Sequence, residues 1–195
     1  MQVQIEKRYY TPEEYCRLEE TAEYKNEYLD GEITPMVGAT TNHNLIALNF
    51  CRNFPANINN QDYWVLMSDV RLWMPRYRFY TYPDVMVIKD KPLYEGKGTN
   101  TVTNALIIVE GLSKSTRDYD RTDKFKFYRS IPEFKEYILI DQYRYYLEQF
   151  YQQNNGEWLF KVYESDKEAL RFYSVDFQIS LLDIYQRIDF TLSEE

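Results

Sequence analysis

Two short apolar runs, Val85-Met86-Val87-Ile88 and Leu106-Ile107-Ile108-Val109, each meet a carboxylate at one end, Asp84 before the first and Glu110 after the second. Runs of this length and composition read as buried strands, and side chains along a strand alternate between faces. Asp84 then shares a face with Met86 and Ile88, and Glu110 shares one with Ile108 and Leu106. Paired in one sheet, the two acids lie side by side in an apolar wall. Neither stays ionised there without compensation, so a divalent cation, a proton or a cationic side chain has to neutralise the pair.

The rest of the chain predicts the elements around that pair. Thr11-Pro12-Glu13-Glu14 is a capping box with proline at the first helical position, which starts a helix over 12–21. Asp30-Gly31 joins two short strands, 26–29 and 32–36, because that dipeptide tolerates the positive φ of a tight hairpin turn. A helix is expected over 43–58 with Pro55 shaping its end, then strands at 64–67 and 70–74, with Asp69, Arg71 and Trp73 alternating against Val70, Leu72 and Met74. Residues 89–104 read as an exposed loop and 117–130 as a helix stopped before Pro132. A strand at 136–141, a hairpin of 144–152 with 157–163 across Asn154-Asn155-Gly156, an edge strand at 169–173 and a helix at 180–187 complete the chain. This is an α/β fold built on a mixed β-sheet flanked by helices, with a β-rich C-terminal part.

At 195 residues the chain suits one domain, 1–195, since a domain of this size buries roughly 70% of the surface its unfolded chain exposes. A formal charge of −8 argues against a general polyanion-coating role, but an acidic protein still binds DNA through a local basic groove with bound metals inverting the charge of the site. Twenty tyrosines are many; amphipathic strand and core-edge packing accounts for them more simply than sugar or base stacking. Cys16 and Cys51 lack zinc-like spacing and read as buried free thiols of a cytoplasmic protein, and no apolar run reaches the length of a membrane span.

Several short stretches then fall in a recognisable order: Tyr28-Leu29-Asp30-Gly31-Glu32-Ile33, Asn42-His43-Asn44, Ser68-Asp69-Val70-Arg71, Tyr82-Pro83-Asp84-Val85, Ile108-Val109-Glu110 with Leu112-Ser113, Ser115-Thr116, Asp120-Arg121 with Lys124, Phe125 and Tyr128, and Tyr137-Ile138-Leu139-Ile140-Asp141. Together they resemble the Uma-type family of restriction-endonuclease-like bacterial proteins, within the PD-(D/E)xK nuclease superfamily. The resemblance implies a restriction-endonuclease-like fold in which Asp84 and Glu110 bind a divalent metal, Mg²⁺ or Mn²⁺, Glu32 adds an acidic group, and Lys124 is the active-site lysine. Leu112 stands where a standard Glu-x-Lys motif has its lysine, so the lysine is displaced onto the following helix. Gly111 replaces the family's usual β-branched residue and is expected to loosen the strand after Glu110. The implied activity is metal-dependent hydrolysis of DNA phosphodiester bonds by a homodimer, with no membrane partner. The rival class is a catalytically silent nuclease fold serving as a nucleic-acid or protein-interaction module.

Other residues stay open at this point. Lys114 competes with Lys124, although the family usually has proline there. Asp69 has a plain neutralising partner in Arg71, His43 near a helix start reads as a cap or local hydrogen-bonding residue, and Ser113, Ser115 and Thr116 either cap a helix or meet phosphate.

Overall fold

A computed structural model describes residues 8–36, 38–113 and 117–191. The elements are α1 (Pro12–Glu19), β1 (Asn26–Leu29), β2 (Glu32–Pro35), α2 (Thr41–Asn53), β3 (Asn57–Ile58), β4 (Gln61–Met67), β5 (Arg71–Met74), β6 (Phe79–Thr81), β7 (Val85–Lys89), β8 (Thr101–Val102) and β9 (Ile107–Leu112). After these come α3 (Arg117–Tyr119), a π-helical stretch Asp120–Lys124, α4 (Phe125–Tyr128), β10 (Glu136–Asp141), β11 (Leu147–Gln152), β12 (Trp158–Tyr163), β13 (Ala169–Arg171), β14 (Gln178–Ser180) and α5 (Leu181–Ile184).

Seven strands form the main sheet in the order β12-β11-β10-β9-β7-β4-β3, mixed because β9 and β10 run parallel while their outer neighbours are antiparallel. Five others form a second sheet, β2-β1-β6-β5-β8, and β13 pairs with β14 alone. The apolar runs bounded by Asp84 and Glu110 are neighbours, with Val85 opposite Val109 and Met86 opposite Ile108. One face of the main sheet (Val85, Val87, Ile107, Val109) packs on Ile46, Ala47 and Phe50 of α2 and on Leu181 and Ile184 of α5. The other (Met86, Ile88, Ile108) packs on Leu72, Met74 and Phe79 of the second sheet and on Phe127 and Tyr128 of α4. Tyr28, Trp73 and Tyr80 line the far side of the second sheet, where Tyr15 of α1 closes a third cluster. Fully burying side chains of this kind contributes roughly 1.5–3 kcal/mol each before conformational entropy is charged.

Local chemistry fixes the element ends. The Thr11 capping box is complete, its N–H donating to Glu14 Oε2 at 2.9 Å and its hydroxyl accepting from Glu14 N–H at 3.2 Å. Asp30 and Gly31 both take positive φ, 43° and 105°, as the hairpin turn requires. The second helix stops at Asn53, short of the expected 58, because Pro55 forces Phe54 into extended backbone and β3 follows at once.

The expected helix over 117–130 is broken into three pieces. Thr122 donates its hydroxyl to the Asp118 carbonyl at 2.6 Å, a side-chain bond that competes with the helical ladder and accompanies the wide π turn. The expected exposed loop at 89–104 is in part built in: Thr101 and Val102 are buried as β8, and Asn104 pins the loop to Lys91 and Leu93. Leu106 precedes β9 and packs with Val109, on the opposite side from Ile108. The third strand pair, β13–β14, replaces a lone edge strand, and both cysteines are free but half-buried.

Candidate active site

Asp84 stands one residue ahead of β7 and Glu110 lies inside β9, so the pair is close at one end of the strands. Each carboxylate reaches the other's backbone: Asp84 N–H donates to Glu110 Oε2 at 3.2 Å, and Gly111 N–H donates to Asp84 Oδ2 at 2.7 Å. Pro83 just before Asp84 has no N–H, so the chain enters the strand without a competing ladder bond there.

Two basic side chains approach from opposite faces of the sheet. From α2, His43 places Nε2 2.9 Å from Asp84 Oδ2. From the π stretch, Lys124 places Nζ 3.3 Å from Glu110 Oε1, 3.3 Å from Asp120 Oδ1 and 3.5 Å from Glu27 Oε1. The π turn buries Asp120 and Lys124 on one helical face, a device recurrent at functional sites. Tyr128, one turn on, donates its hydroxyl to Glu110 Oε1 at 2.7 Å, while Thr81 hydrogen-bonds Glu27 from β6.

The cluster holds more acid than base, and its proton affinities show it. Burial pushes Glu110 up to about 8; Lys124 pulls it down, and Asp84 and Asp120 push it further up. Burial also works against the charged forms of Asp84, His43 and Lys124, but here partners win. His43 and the Gly111 N–H hold Asp84 below its usual range, Asp84 and Glu110 hold His43 above its own, and Glu110, Glu27 and Asp120 hold Lys124 well above its own. A protonated Glu110 and a charged Lys124 are compatible, since Glu27 and Asp120 remain to pair the ammonium. Four carboxylates, Asp84, Glu110, Glu27 and Asp120, thus face two basic side chains, His43 and Lys124, and burial favours the protonated form of Glu110 among them.

Asp84, Glu110 and Lys124 thus converge. Glu32 opens β2 opposite Leu29, at the turn end of the hairpin, and is not among the three carboxylates paired with Lys124. Glu27, on the same face of that hairpin, supplies the N-terminal carboxylate that reaches the lysine. Strand alternation in Asn26-Glu27-Tyr28-Leu29 contains the signal: Tyr28 points into the tyrosine cluster, so Glu27 faces the other way, with Leu29. Asp120 and Tyr128 carry no sequence signal beyond their place in the motif, since only the π turn aims Asp120 at Lys124 and only the helix packing aims Tyr128 at Glu110.

His43 joins the cluster, where a cap was expected. Asp69 does not: its side chain is 87% exposed and pairs with Lys25 at 2.5 Å, while Arg71, the expected partner, lies over the rings of Tyr15 and Tyr80. Lys114, Ser115 and Thr116 lie outside the described residues. The expected loosening at Gly111 does not occur, because β9 keeps register with β10 through Gly111–Ile140 and Leu112–Asp141.

A protein of Synechocystis sp. (strain ATCC 27184 / PCC 6803 / Kazusa), sll1609, is 39% identical over 162 residues, covering 83% of this chain and 92% of its own length. A second from the same organism, slr1290, is 32% identical over 173 residues, covering 88% and 90%. Among solved structures, one from Anabaena variabilis ATCC 29413, described as "a putative nuclease belonging to DUF820", superposes with a TM-score of 0.68 at 15% identity, covering 90% of this chain and 97% of that one. That likeness shows a shared nuclease-type α/β fold. The family model described as "Uma2: Putative restriction endonuclease" matches residues 12–181, and the chain belongs to that family.

Proposed function

We propose that this protein is a metal-dependent endonuclease that hydrolyses phosphodiester bonds of DNA, with Asp84 and Glu110 as ligands to Mg²⁺ or Mn²⁺. The observation that carries the reading is the convergence of these two carboxylates and Lys124 at one sheet end. The donor set suits a hard cation. Asp84 Oδ1 accepts no protein hydrogen bond among the described residues, and Glu110 Oε2 accepts only the 3.2 Å bond from Asp84 N–H. No three His, Cys, Asp or Glu side chains among the described residues form a closed cage. Two carboxylates are nonetheless the number Mg²⁺ commonly takes when waters and substrate phosphate fill the remaining positions.

When bound, such a cation lowers the pKa of a coordinated water and neutralises charge developing on phosphorus. Lys124 clamps Glu110 and keeps positive charge beside the pair. Asp84 is held by two donors on one oxygen, so its orientation is set before substrate arrives. Arg117 and Arg144, both paired with Asp141 at the same end of the parallel strands β9 and β10, supply local positive charge for a DNA backbone despite the acidic whole. No helix among the described residues is long and apolar enough to cross a membrane. We assign the protein to the cytoplasm and, because two cuts on a duplex call for two sites, to a homodimer.

The test is plasmid cleavage with Mg²⁺ or Mn²⁺, alongside calorimetric titration of Mn²⁺ into metal-free protein. Nicking or linearisation that chelator abolishes, and that Asp84→Asn and Glu110→Gln lose while staying folded, supports the assignment. Wild-type protein with neither cleavage nor Mn²⁺ uptake overturns it in favour of a silent nuclease-fold binding module.

A further inference from the structure

Gly111 and His43, the chain's single histidine, turn out to be one device. The backbone of Gly111 lies outside the left-handed region, so it would accept a side chain; the neighbour would not. A Cβ built on Gly111 falls 2.5 Å from His43 Cδ2 and 2.8 Å from Nε2, far inside the contact distance of about 3.5 Å at which carbon atoms attract. The Cδ2–Nε2 edge of the imidazole therefore occupies the space beside β9 that a side chain at 111 would fill. From there Nε2 reaches Asp84 Oδ2, the oxygen that already accepts the Gly111 N–H.

The helix that carries His43 is itself fixed at this end. Thr40 caps it by accepting the His43 backbone N–H at 3.1 Å, and Asn42 ties its first turn to the Gln142 and Asp189 carbonyls at 3.2 and 2.8 Å. Two donors on Oδ2, one from a strand and one from an anchored helix, stop the Asp84 carboxylate from rotating and leave Oδ1 directed away from both.

We propose that His43 is a positioning residue for Asp84, admitted by the absence of a side chain at Gly111, and that the two together set the orientation in which Asp84 meets the cation. This rests on the metal reading of Asp84 given above. Outer partners that orient metal ligands typically change affinity about 10–100-fold when removed. His43→Ala should weaken Mn²⁺ binding on that scale, measured calorimetrically. Gly111→Ala should do the same, because its methyl group displaces the ring. The double variant should be no weaker than either single one, since both remove one contact. His43→Gln, whose amide N–H still donates to a carboxylate, should recover most of the affinity.

A metal-free measurement separates this proposal from the metal reading. With histidine labelled by nitrogen-15, the single imidazole reports its own hydrogen bond, and its signals should move alike in Gly111→Ala and Asp84→Asn. Losses that multiply in the double variant, an unchanged affinity in His43→Ala, failure of glutamine to rescue, or an imidazole spectrum indifferent to Gly111→Ala each overturn the positioning role. Wild-type protein that takes up no Mn²⁺ removes the metal reading alone, and the imidazole spectrum still decides whether Gly111 and His43 hold Asp84.

Discussion

Lys124→Met retains the buried aliphatic stem and deletes only the ammonium, which makes it the sharpest probe of the cluster. Lys124 is 6% exposed and Glu110 4%, so solvent does not replace the lost charge. The substitution leaves Glu27, Glu110 and Asp120 facing one another with no cation within ion-pairing distance of all three. Breaking a buried pair by removing one partner costs about 3–5 kcal/mol. At about 2–4 °C per kcal/mol for a domain of this size, the melting temperature of metal-free protein should fall by roughly 6–20 °C. The loss has a pH signature. Glu110 is already raised by burial, and losing the ammonium that lowers it moves its folded pKa further above the unfolded one, so the penalty grows as pH rises. Melting followed by circular dichroism in chelator-containing buffer at about pH 5 and pH 8 should show a small loss at the first and most of it at the second. Adding Glu110→Gln should recover part of the stability, because it removes one of the facing acids. A shift below about 2 °C at both pH values, within the range of surface substitutions, would refute the buried ion cluster.

Wild-type protein carries its own pH dependence. Glu110 is raised from 4.5 to about 8 in the folded state, so its contribution is present at acid pH and lost as pH climbs between those values. Metal-free protein should therefore lose stability across that window, and Mn²⁺ should restore more of it at the alkaline end; a Mn²⁺ shift independent of pH would contradict the competition between cation and proton. Glu136 offers a control remote from the chemistry. It accepts from Tyr173 N–H at 2.7 Å, Ser174 N–H at 2.5 Å and Gln149 Nε2 at 2.6 Å, so Glu136→Ala leaves one buried and two part-buried donors without this acceptor, at roughly 1–3 kcal/mol for the buried one. Its melting temperature should drop while Mn²⁺ affinity below that temperature stays at the wild-type value, and a matched loss of affinity would tie this end of β10 to the site.

Much of the fold was legible because the signals were local. Thr11-Pro12-Glu13-Glu14 and Asp30-Gly31 act through bonds and dihedrals within a few residues, and both elements form where those residues require. The apolar runs around Asp84 and Glu110 pair as neighbours because both faces of the main sheet are covered, which their uniform apolarity reflects. What the sequence hid was non-local. Thr101 and Val102 become β8 only because β5 lies alongside, and Gln178–Ser180 becomes a strand only because β13 does. Arg71 looked like a partner for Asp69 along one strand, but the Tyr15 and Tyr80 rings supply a buried face that draws the guanidinium away from a solvent-facing acid.

The site divides along the same line. Asp84 and Glu110 stand out because a carboxylate bounding an apolar strand has few uses, and that holds without knowing what faces it. Lys124 could be placed only as the lysine the motif displaces, since its return to the strand depends on the π turn. The acids that flank it follow from that turn and from hairpin geometry: the extra width aims Asp120 at the ammonium, and β1 brings Glu27 to it while Glu32 stays at the turn. Gly111 shows how a sequence-level departure reverses meaning once its neighbour is known. Read alone, glycine in a strand weakens the sheet. Beside His43, the missing side chain is the space through which a helix from the opposite face from Lys124 reaches Asp84. The two carboxylates are thus held from two sides by two basic side chains that belong to different helices, and a loss at either helix reaches the pair through a separate contact.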